Sequence, residues 1–218
     1  MVRIVVVSAG LGVPSSTRLL ADLLGDAAER AVEARGAEVA VDVVELRPLA
    51  HALADHLLTG FPTGDLADAL DRVARADGLV VVTPVFSASY SGLFKTFFDV
   101  MEPGTLDGKP VLVAATAGTA RHSLVLDHAL RPLFAYLRAV VVPTGVFAAS
   151  EDFGGGDGAL EKRVDRAAGE LAALVAAGAG GGGGTPTAPR RPAYADDAVA
   201  DVTPLEQLLR EAGGDSVR

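Results

Sequence analysis

Apolar runs alternate along the chain with segments in which apolar residues recur at helical spacing. Five apolar runs predict strands, at 2–8, 38–46, 78–84, 109–118 and 140–149. Helical spacing predicts helices over 15–35, 65–77, 91–101, 122–139 and 158–178. Strands joined through helices, and apolar along most of their length, are typical of a parallel sheet that is covered on both faces.

Two segments are less regular. Pro132 lies inside the helical pattern of 122–139 and predicts a bend or break there, while 47–64 has no clear assignment because Pro and Gly flank it. Five strands and five helices are those of a flavodoxin-like doubly wound α/β fold, with a five-stranded parallel sheet in the order 2-1-3-4-5. In that order, the ligand site lies beyond the carboxyl ends of the strands, near the first and third.

The pattern predicts one domain over 1–177 and a different organisation after it. Residues 178–200 are rich in Gly and then in Pro, which is typical of a linker. Residues 201–218 form a short terminal segment in which Leu205, Leu208 and Leu209 would share one face of an amphipathic helix. Two interpretations stay open: a docking segment for a sister subunit or a monooxygenase, and an end that packs nowhere.

Composition excludes several classes of function. The formal net charge of −9 argues against a surface for nucleic acid or anionic membranes. The absence of Cys excludes disulfides and thiol catalysis. No apolar run approaches the length of a membrane span, and the N-terminal run is too short for a signal peptide, so we expect a soluble, cytoplasmic protein.

Three hydroxyls and a guanidinium, those of Ser15, Ser16, Thr17 and Arg18, lie where the first helix is predicted to begin. A helix N-terminus has unpaired N–H groups and partial positive charge, and Arg can grip a phosphate through two oxygens. Each residue alone would fit an N-cap or a solvated side chain. The four together, after a buried strand, favour a phosphate site.

The alternatives for that phosphate fit less well. A P-loop requires Gly-Lys-Ser/Thr, and no Lys lies here. The dinucleotide motif G-x-G-x-x-G is only approached by "GLGVPS", and Glu45 lies further along than the usual ribose-binding acid. Phosphotransfer to Asp would require Asp in place of Ser8. Flavin mononucleotide (FMN) remains, and the loops after the third and fourth strands, "TPVFSASYSG" and "TAGT", are suited to hold its flat ring.

The segments "TPVFSASYSGLFKTFFD", "ATAGTARHSLVLDHALRPLFAYLRA" and "PTGVFAA" resemble the NADPH-dependent FMN reductases, notably the reductases of two-component monooxygenase systems. The resemblance covers about residues 3 to 177. It implies that the FMN phosphate contacts Ser8, Ser15, Ser16, Thr17 and Arg18. It implies that the ring contacts Pro84, Val85, Phe86, Ser87, Ala88, Thr116, Ala117, Gly118 and Thr119. It also implies homodimers or homotetramers. Where alkanesulfonate-type members have a Tyr associated with a helical bulge, this chain has His128.

The expected activity is hydride transfer from NADPH or NADH to FMN, with reduced flavin passing to a luciferase-like monooxygenase. The cofactors carry this chemistry, so we expect no catalytic side chain and no metal. His122 and His128 are interpreted as helix-face or interface residues. A quinone or azo-compound reductase is the second hypothesis. A flavodoxin-type electron carrier is third, because the chain has no Trp to stack on the ring.

Overall fold

The computed structural model describes residues 1–154 and 158–180. The strands are β1 (Val2–Ser8), β2 (Val39–Glu45), β3 (Gly78–Phe86), β4 (Ser89–Tyr90), β5 (Pro110–Ala117), β6 (Val140–Val141) and β7 (Val146–Ala149). The α-helices are α1 (Ser16–Glu33), α2 (Ala50–Thr59), α3 (Asp65–Arg75), α4 (Gly92–Asp99), α5 (Arg131–Tyr136) and α6 (Ala159–Gly180). The linker and terminal segment lie, from residue 181 onward, outside the described residues. No helix within the described ranges is both long and apolar enough to cross a bilayer.

The sheet is parallel in the order β2-β1-β3-β5, with β6 and β7 both pairing with β5. This confirms the predicted flavodoxin-like order. The predicted fifth strand, however, forms two short pieces. Between them, Arg131 donates to the carbonyl groups of Val142 and Pro143 at 3.0 and 2.5 Å, and the Thr144 N–H donates to Glu170 at 2.7 Å. Side chains therefore satisfy the backbone groups between the two pieces.

The helices cover both faces of the sheet. On one face, α1 and α6 bury small and aliphatic residues such as Leu20, Leu24 and Leu171. On the other face, Phe94, Phe98 and Phe134 pack with ring centroids 4.8 to 6.3 Å apart, an ordinary spacing for aromatic contacts. The aromatic contacts of the described residues are thus concentrated on this face.

Two irregular segments have defined structure. The unassigned segment 47–64 contains α2, which ends at Gly60 with a left-handed φ of 77°. The predicted break near Pro132 takes the form of a π-helical turn, Leu126–Leu130, directly before α5. The Arg131 N–H bonds the carbonyl of Leu126, and Pro132 has no N–H with which to continue the regular pattern.

Lys109 precedes β5 and caps the end of α3. Its Nζ donates to the carbonyl groups of Val73 and Ala74 at 2.6 and 2.8 Å. Burial lowers the pKa of Lys109 to about 8, and the nearby Asp77 carboxylate opposes this effect only in part. Because the last carbonyl groups of a helix have no intrahelical partners, this ammonium stabilises the junction of α3 with the sheet.

Candidate functional site

The carboxyl ends of β1, β3 and β5 meet at one edge of the sheet. Ser8 at the end of β1 lies opposite Val82 of β3, and Pro84 of β3 lies opposite Thr116 of β5. The three loops selected from the sequence follow these positions. Their backbones are therefore neighbours, as a ligand that spans them would require.

The loop after β1 folds tightly onto the start of α1. Ser15 is the N-cap of α1, and its Oγ accepts a hydrogen bond from the Arg18 N–H at 3.2 Å. A Cβ added at Gly10 would lie 2.2 Å from this Oγ, so only Gly permits this close approach. Within the described part of the chain, the N–H groups of Ser16 and Thr17 have no hydrogen-bond acceptor. Two donors at the positive end of a helix are thus available to an anion.

A buried pair of hydroxyls joins the start of α1 to the end of β5. The Oγ1 atoms of Thr17 and Thr116 lie 2.8 Å apart, and each residue is only 3% exposed. Either hydroxyl can donate. Ser8, at the end of β1, is also buried, at 2% exposure. All three residues were among the expected flavin contacts. The sequence did not indicate that Thr17 and Thr116, 99 positions apart, bond to each other.

Arg18 is held by two carboxylates that sequence reasoning did not assign to it. Its Nε donates to Asp22 Oδ1 at 2.7 Å, and its Nη1 lies 2.8 Å from Glu45 Oε1. Hydrogen bonds to Asp22 and then to Glu45 raise the pKa of Arg18 above its ordinary value. The i, i+4 spacing of Arg18 and Asp22 is a signal that could have indicated the first pair. The contact with Glu45 depends on where β2 ends.

The loop after β3 is a hairpin rather than an irregular loop. β3 continues to Phe86 and turns back into β4, with Phe86 opposite Ser89. Ser87 and Ala88 occupy the turn with φ values of 49° and 65°. Two residues with positive φ are typical of a tight hairpin turn, yet neither is the Gly or Asn that such turns favour. Phe86 remains 47% exposed at the end of β3.

The residues of this hairpin face different surroundings. The side chain of Val85 packs against the core, as does that of Ala117, the last residue of β5. The buried Thr83 hydroxyl accepts from the Ser91 N–H at 3.0 Å and donates to the Pro84 carbonyl at 2.9 Å. Thr83 therefore fixes both arms of the hairpin, a role that the sequence did not indicate.

The loop after β5 leaves open space. A Cβ added at Gly118 would meet no heavy atom within 4 Å, and Gly118, Thr119 and the residues that follow are exposed. His122 and His128 are also exposed, in a 3₁₀ turn and in the π-helical turn respectively. No group of three or more His, Asp or Glu side chains in the described ranges is arranged to hold a metal ion.

Comparison with known proteins adds to this geometry. Residues 2–154 match the family described as NADPH-dependent FMN reductase. The chain is 40% identical over 153 residues to the NADH-dependent FMN reductase SfnF of Pseudomonas putida. The aligned region covers 70% of this chain and 80% of that protein. It is also 40% identical over 153 residues to an FMN reductase (NADPH) of Pseudomonas aeruginosa, covering 69% of this chain and 78% of the relative.

A solved structure is also similar along most of its length. An oxidoreductase from Corynebacterium diphtheriae shares 54% identity with a TM-score of 0.79, over 81% of this chain and 98% of that one. A flavodoxin of the WrbA-like type from Agrobacterium tumefaciens, at 17% identity and a TM-score of 0.56, covers 81% of this chain and 97% of its own and shares the fold alone.

Proposed function

Since the chain belongs to the NADPH-dependent FMN reductase family and is an NAD(P)H:FMN oxidoreductase, we propose that FMN binds across the three loops at the carboxyl edge of the sheet. The observation that carries this proposal is the pair of unpartnered N–H groups of Ser16 and Thr17 at the start of α1. A dianionic phosphate supplies acceptors for both and is stabilised by the helix N-terminus.

Five residues form the proposed phosphate site: Ser8, Ser15, Ser16, Thr17 and Arg18. The exposed Ser16 hydroxyl is free to donate to the phosphate, whereas the Ser15 hydroxyl also caps the helix. Arg18 keeps one guanidinium nitrogen, Nη2, without a partner among the described residues. That nitrogen is available to a phosphate oxygen while Asp22 and Glu45 hold the rest of the group.

The ring of FMN is proposed to lie between the hairpin and the loop after β5. Its contacts there are Pro84, Val85, Phe86, Ser87 and Ala88 on one side and Thr116, Ala117, Gly118 and Thr119 on the other. The open space in front of Gly118 and the exposed ring of Phe86 support this placement. Because the Thr83 hydrogen bonds hold the hairpin, its backbone groups are oriented before the ring arrives.

The chain's own part in the reaction is to bind and orient. When bound, the flavin supplies N5 as the acceptor of hydride from the nicotinamide C4. The Thr17–Thr116 hydroxyl pair connects the start of α1 to the end of β5, so the proposed phosphate site and ring site keep a fixed separation. No proton donor is needed for hydride transfer, and we assign no catalytic role to His122 or His128.

We further propose that the protein acts in the cytoplasm, as a homodimer or homotetramer, and supplies reduced FMN to a luciferase-like monooxygenase. The similarity to FMN reductases, including SfnF, supports this role. The exposure of Phe86, Gly118 and Thr119 also supports it, because a flavin that is used as a substrate must enter and leave.

Steady-state oxidation of NADPH and NADH tests the proposal. We expect the purified protein to oxidise little NAD(P)H until free FMN is added. The rate of NAD(P)H oxidation should then saturate with increasing FMN concentration. Addition of a flavin-dependent monooxygenase should not be needed for this reaction. A different result would be flavin that stays bound through purification and passes its electrons to quinones or azo compounds in preference to free FMN. That result would make the protein a quinone or azo-compound reductase instead.

A further inference from the structure

Arg18, in the proposed phosphate site, is bonded by two acids that come from different elements. Asp22 lies one turn further along α1 and accepts a hydrogen bond from the Arg18 Nε at 2.7 Å. Glu45 is the last residue of β2, and its Oε1 lies 2.8 Å from the Arg18 Nη1. One cation therefore faces two anions at the place that is proposed to receive a third, the FMN phosphate.

The surroundings of Arg18 do not offset these acids. From Ser8 to Asp22 the sequence contains no Lys and no other Arg. The neighbouring cavity, which Arg18 and Glu45 both line, adds more acids than bases: Asp65, Asp68, Asp71, Arg72 and Arg75. The attraction for an anion at the start of α1 thus comes from Arg18 and from the helix N-terminus.

Glu45 competes with a phosphate for the guanidinium of Arg18. A bidentate contact between Arg and a phosphate uses two neighbouring nitrogens. Because Nε bonds Asp22 and Nη1 bonds Glu45, only Nη2 has no partner among the described residues. A phosphate that needs a second nitrogen of Arg18 must displace a carboxylate to reach it.

The repulsion between Glu45 and the phosphate is large enough to affect binding. A phosphate oxygen on Nη2 and the carboxylate on Nη1 would share one planar group, which puts the two anionic groups roughly 6 Å apart. In bulk water, repulsion between a dianion and a carboxylate at this separation corresponds to about a tenfold change in Kd. Screening in about 0.15 M salt reduces the change to about threefold. Since the Glu45 side chain is 49% exposed, the values for water apply to it.

We propose that Glu45 is a positioning residue that acts through Arg18 to keep the binding of the FMN phosphate weak, so that the flavin exchanges as a substrate. The inference rests on the proposed function, because that function places the phosphate at the start of α1. A substrate flavin must leave after each turnover, and differences in affinity between related complexes lie mainly in the dissociation rate. Asp22 holds the guanidinium through Nε whether or not Glu45 is charged.

Titration of the full-length protein with FMN and with riboflavin, which has no phosphate, tests the inference. Glu45→Gln removes the charge and keeps an acceptor for Arg18. We expect this variant to lower the Kd for FMN by about tenfold at low salt and by about threefold in about 0.15 M salt, with the dissociation rate of FMN falling in parallel. The Kd for riboflavin should stay within about twofold of its wild-type value. A change in packing alone would not give this dependence on salt and on the phosphate.

Asp42→Asn is the matched control. Asp42 is an exposed acid on the same strand, and the ion pairs of Arg18 within the described residues do not include it. This variant removes the same charge from β2 and should leave both Kd values within about twofold in about 0.15 M salt. If Glu45→Gln does not fold, Glu45→Thr, which is neutral and suited to a strand, should again lower the Kd for FMN.

The inference and the proposed function fail in different ways. A Kd for FMN that is unchanged or raised in Glu45→Gln overturns the inference alone, as does equal tightening of FMN and riboflavin. Wild-type protein that does not bind FMN, or an Arg18→Ala variant that binds both flavins equally more weakly, would contradict the proposed phosphate site and the inference with it.

Discussion

The buried hydrogen bond between Thr17 and Thr116 allows a prediction that can be worked out from its geometry. The two hydroxyls are 2.8 Å apart and almost completely excluded from solvent. No other side-chain hydrogen bond of either hydroxyl occurs within the described residues. Replacing one Thr with Val keeps the shape of the side chain and leaves the opposite hydroxyl without a partner.

The expected magnitudes follow from that asymmetry. Thr17→Val or Thr116→Val alone should lower the free energy of unfolding by about 1–3 kcal/mol, the cost of leaving a buried polar group unsatisfied. The double variant removes both hydroxyls and should lose much less than the sum of the single losses. The coupling energy between the two sites should therefore be about 1 kcal/mol or more.

Urea unfolding of the flavin-free protein, fitted for all four members of the cycle, measures this coupling. Thr119→Val, an exposed position three residues after Thr116, is the matched control and should change the free energy of unfolding by less than about 0.5 kcal/mol. Additive losses in the double variant would refute the reasoning, because they would show that the two hydroxyls do not satisfy each other.

Four further predictions concern the proposed flavin site and the sheet. Arg18→Ala should weaken the binding of FMN by about 1.5 kcal/mol or more, but should leave the binding of riboflavin, which has no phosphate, unaffected in the same fluorescence titration. Arg30→Ala is the control, and equal weakening of the binding of both flavins would contradict the prediction. Phe86→Ala should alter the absorption spectrum of bound flavin or the KM for FMN. If neither changes, Phe86 does not contact the flavin. Gly118→Ala should change the free energy of unfolding by less than about 0.5 kcal/mol yet weaken the binding of FMN, because the added methyl group enters only the space proposed for the ring. Because burial lowers the pKa of Lys109 from 10.5 to about 8, the unfolded chain binds more protons than the folded chain between these values. The free energy of unfolding should therefore rise with pH from about 8 to about 10.5 and be independent of this group below about 8; Lys109→Met, compared by urea unfolding at each pH, should lack this increment.

Much of the fold was predictable because its signals are local. Continuous apolar runs identified the central strands, and the order of strands and helices indicated the sheet topology that the structure has. The same local chemistry located the start of α1, where Ser15 is the N-cap. Where strands end, parallel topology brings their loops to one edge, so the candidate rim also followed from the sequence.

The features that the sequence did not indicate depend on contacts between distant residues or on uncommon backbone choices. The turn at Ser87 and Ala88 has positive φ without Gly or Asn, so no turn signal marks the hairpin. The bond between Thr17 and Thr116 joins α1 to β5, and the pairing of Arg18 with Glu45 joins α1 to β2. Such pairs depend on how the elements pack against each other. The spacing of residues along the sequence does not indicate that packing.

The division of the last predicted strand into β6 and β7 affects how the sheet meets other chains. A long, regular edge strand offers a row of free N–H and C=O groups on which a foreign strand can extend the sheet. Here β6 has two residues and β7 has four, and Arg131 and Glu170 occupy backbone groups of Val142, Pro143 and Thr144 between them. An invading strand would find no uninterrupted ladder at this edge. The interruption thus makes this edge of the sheet a poor template for edge-to-edge association.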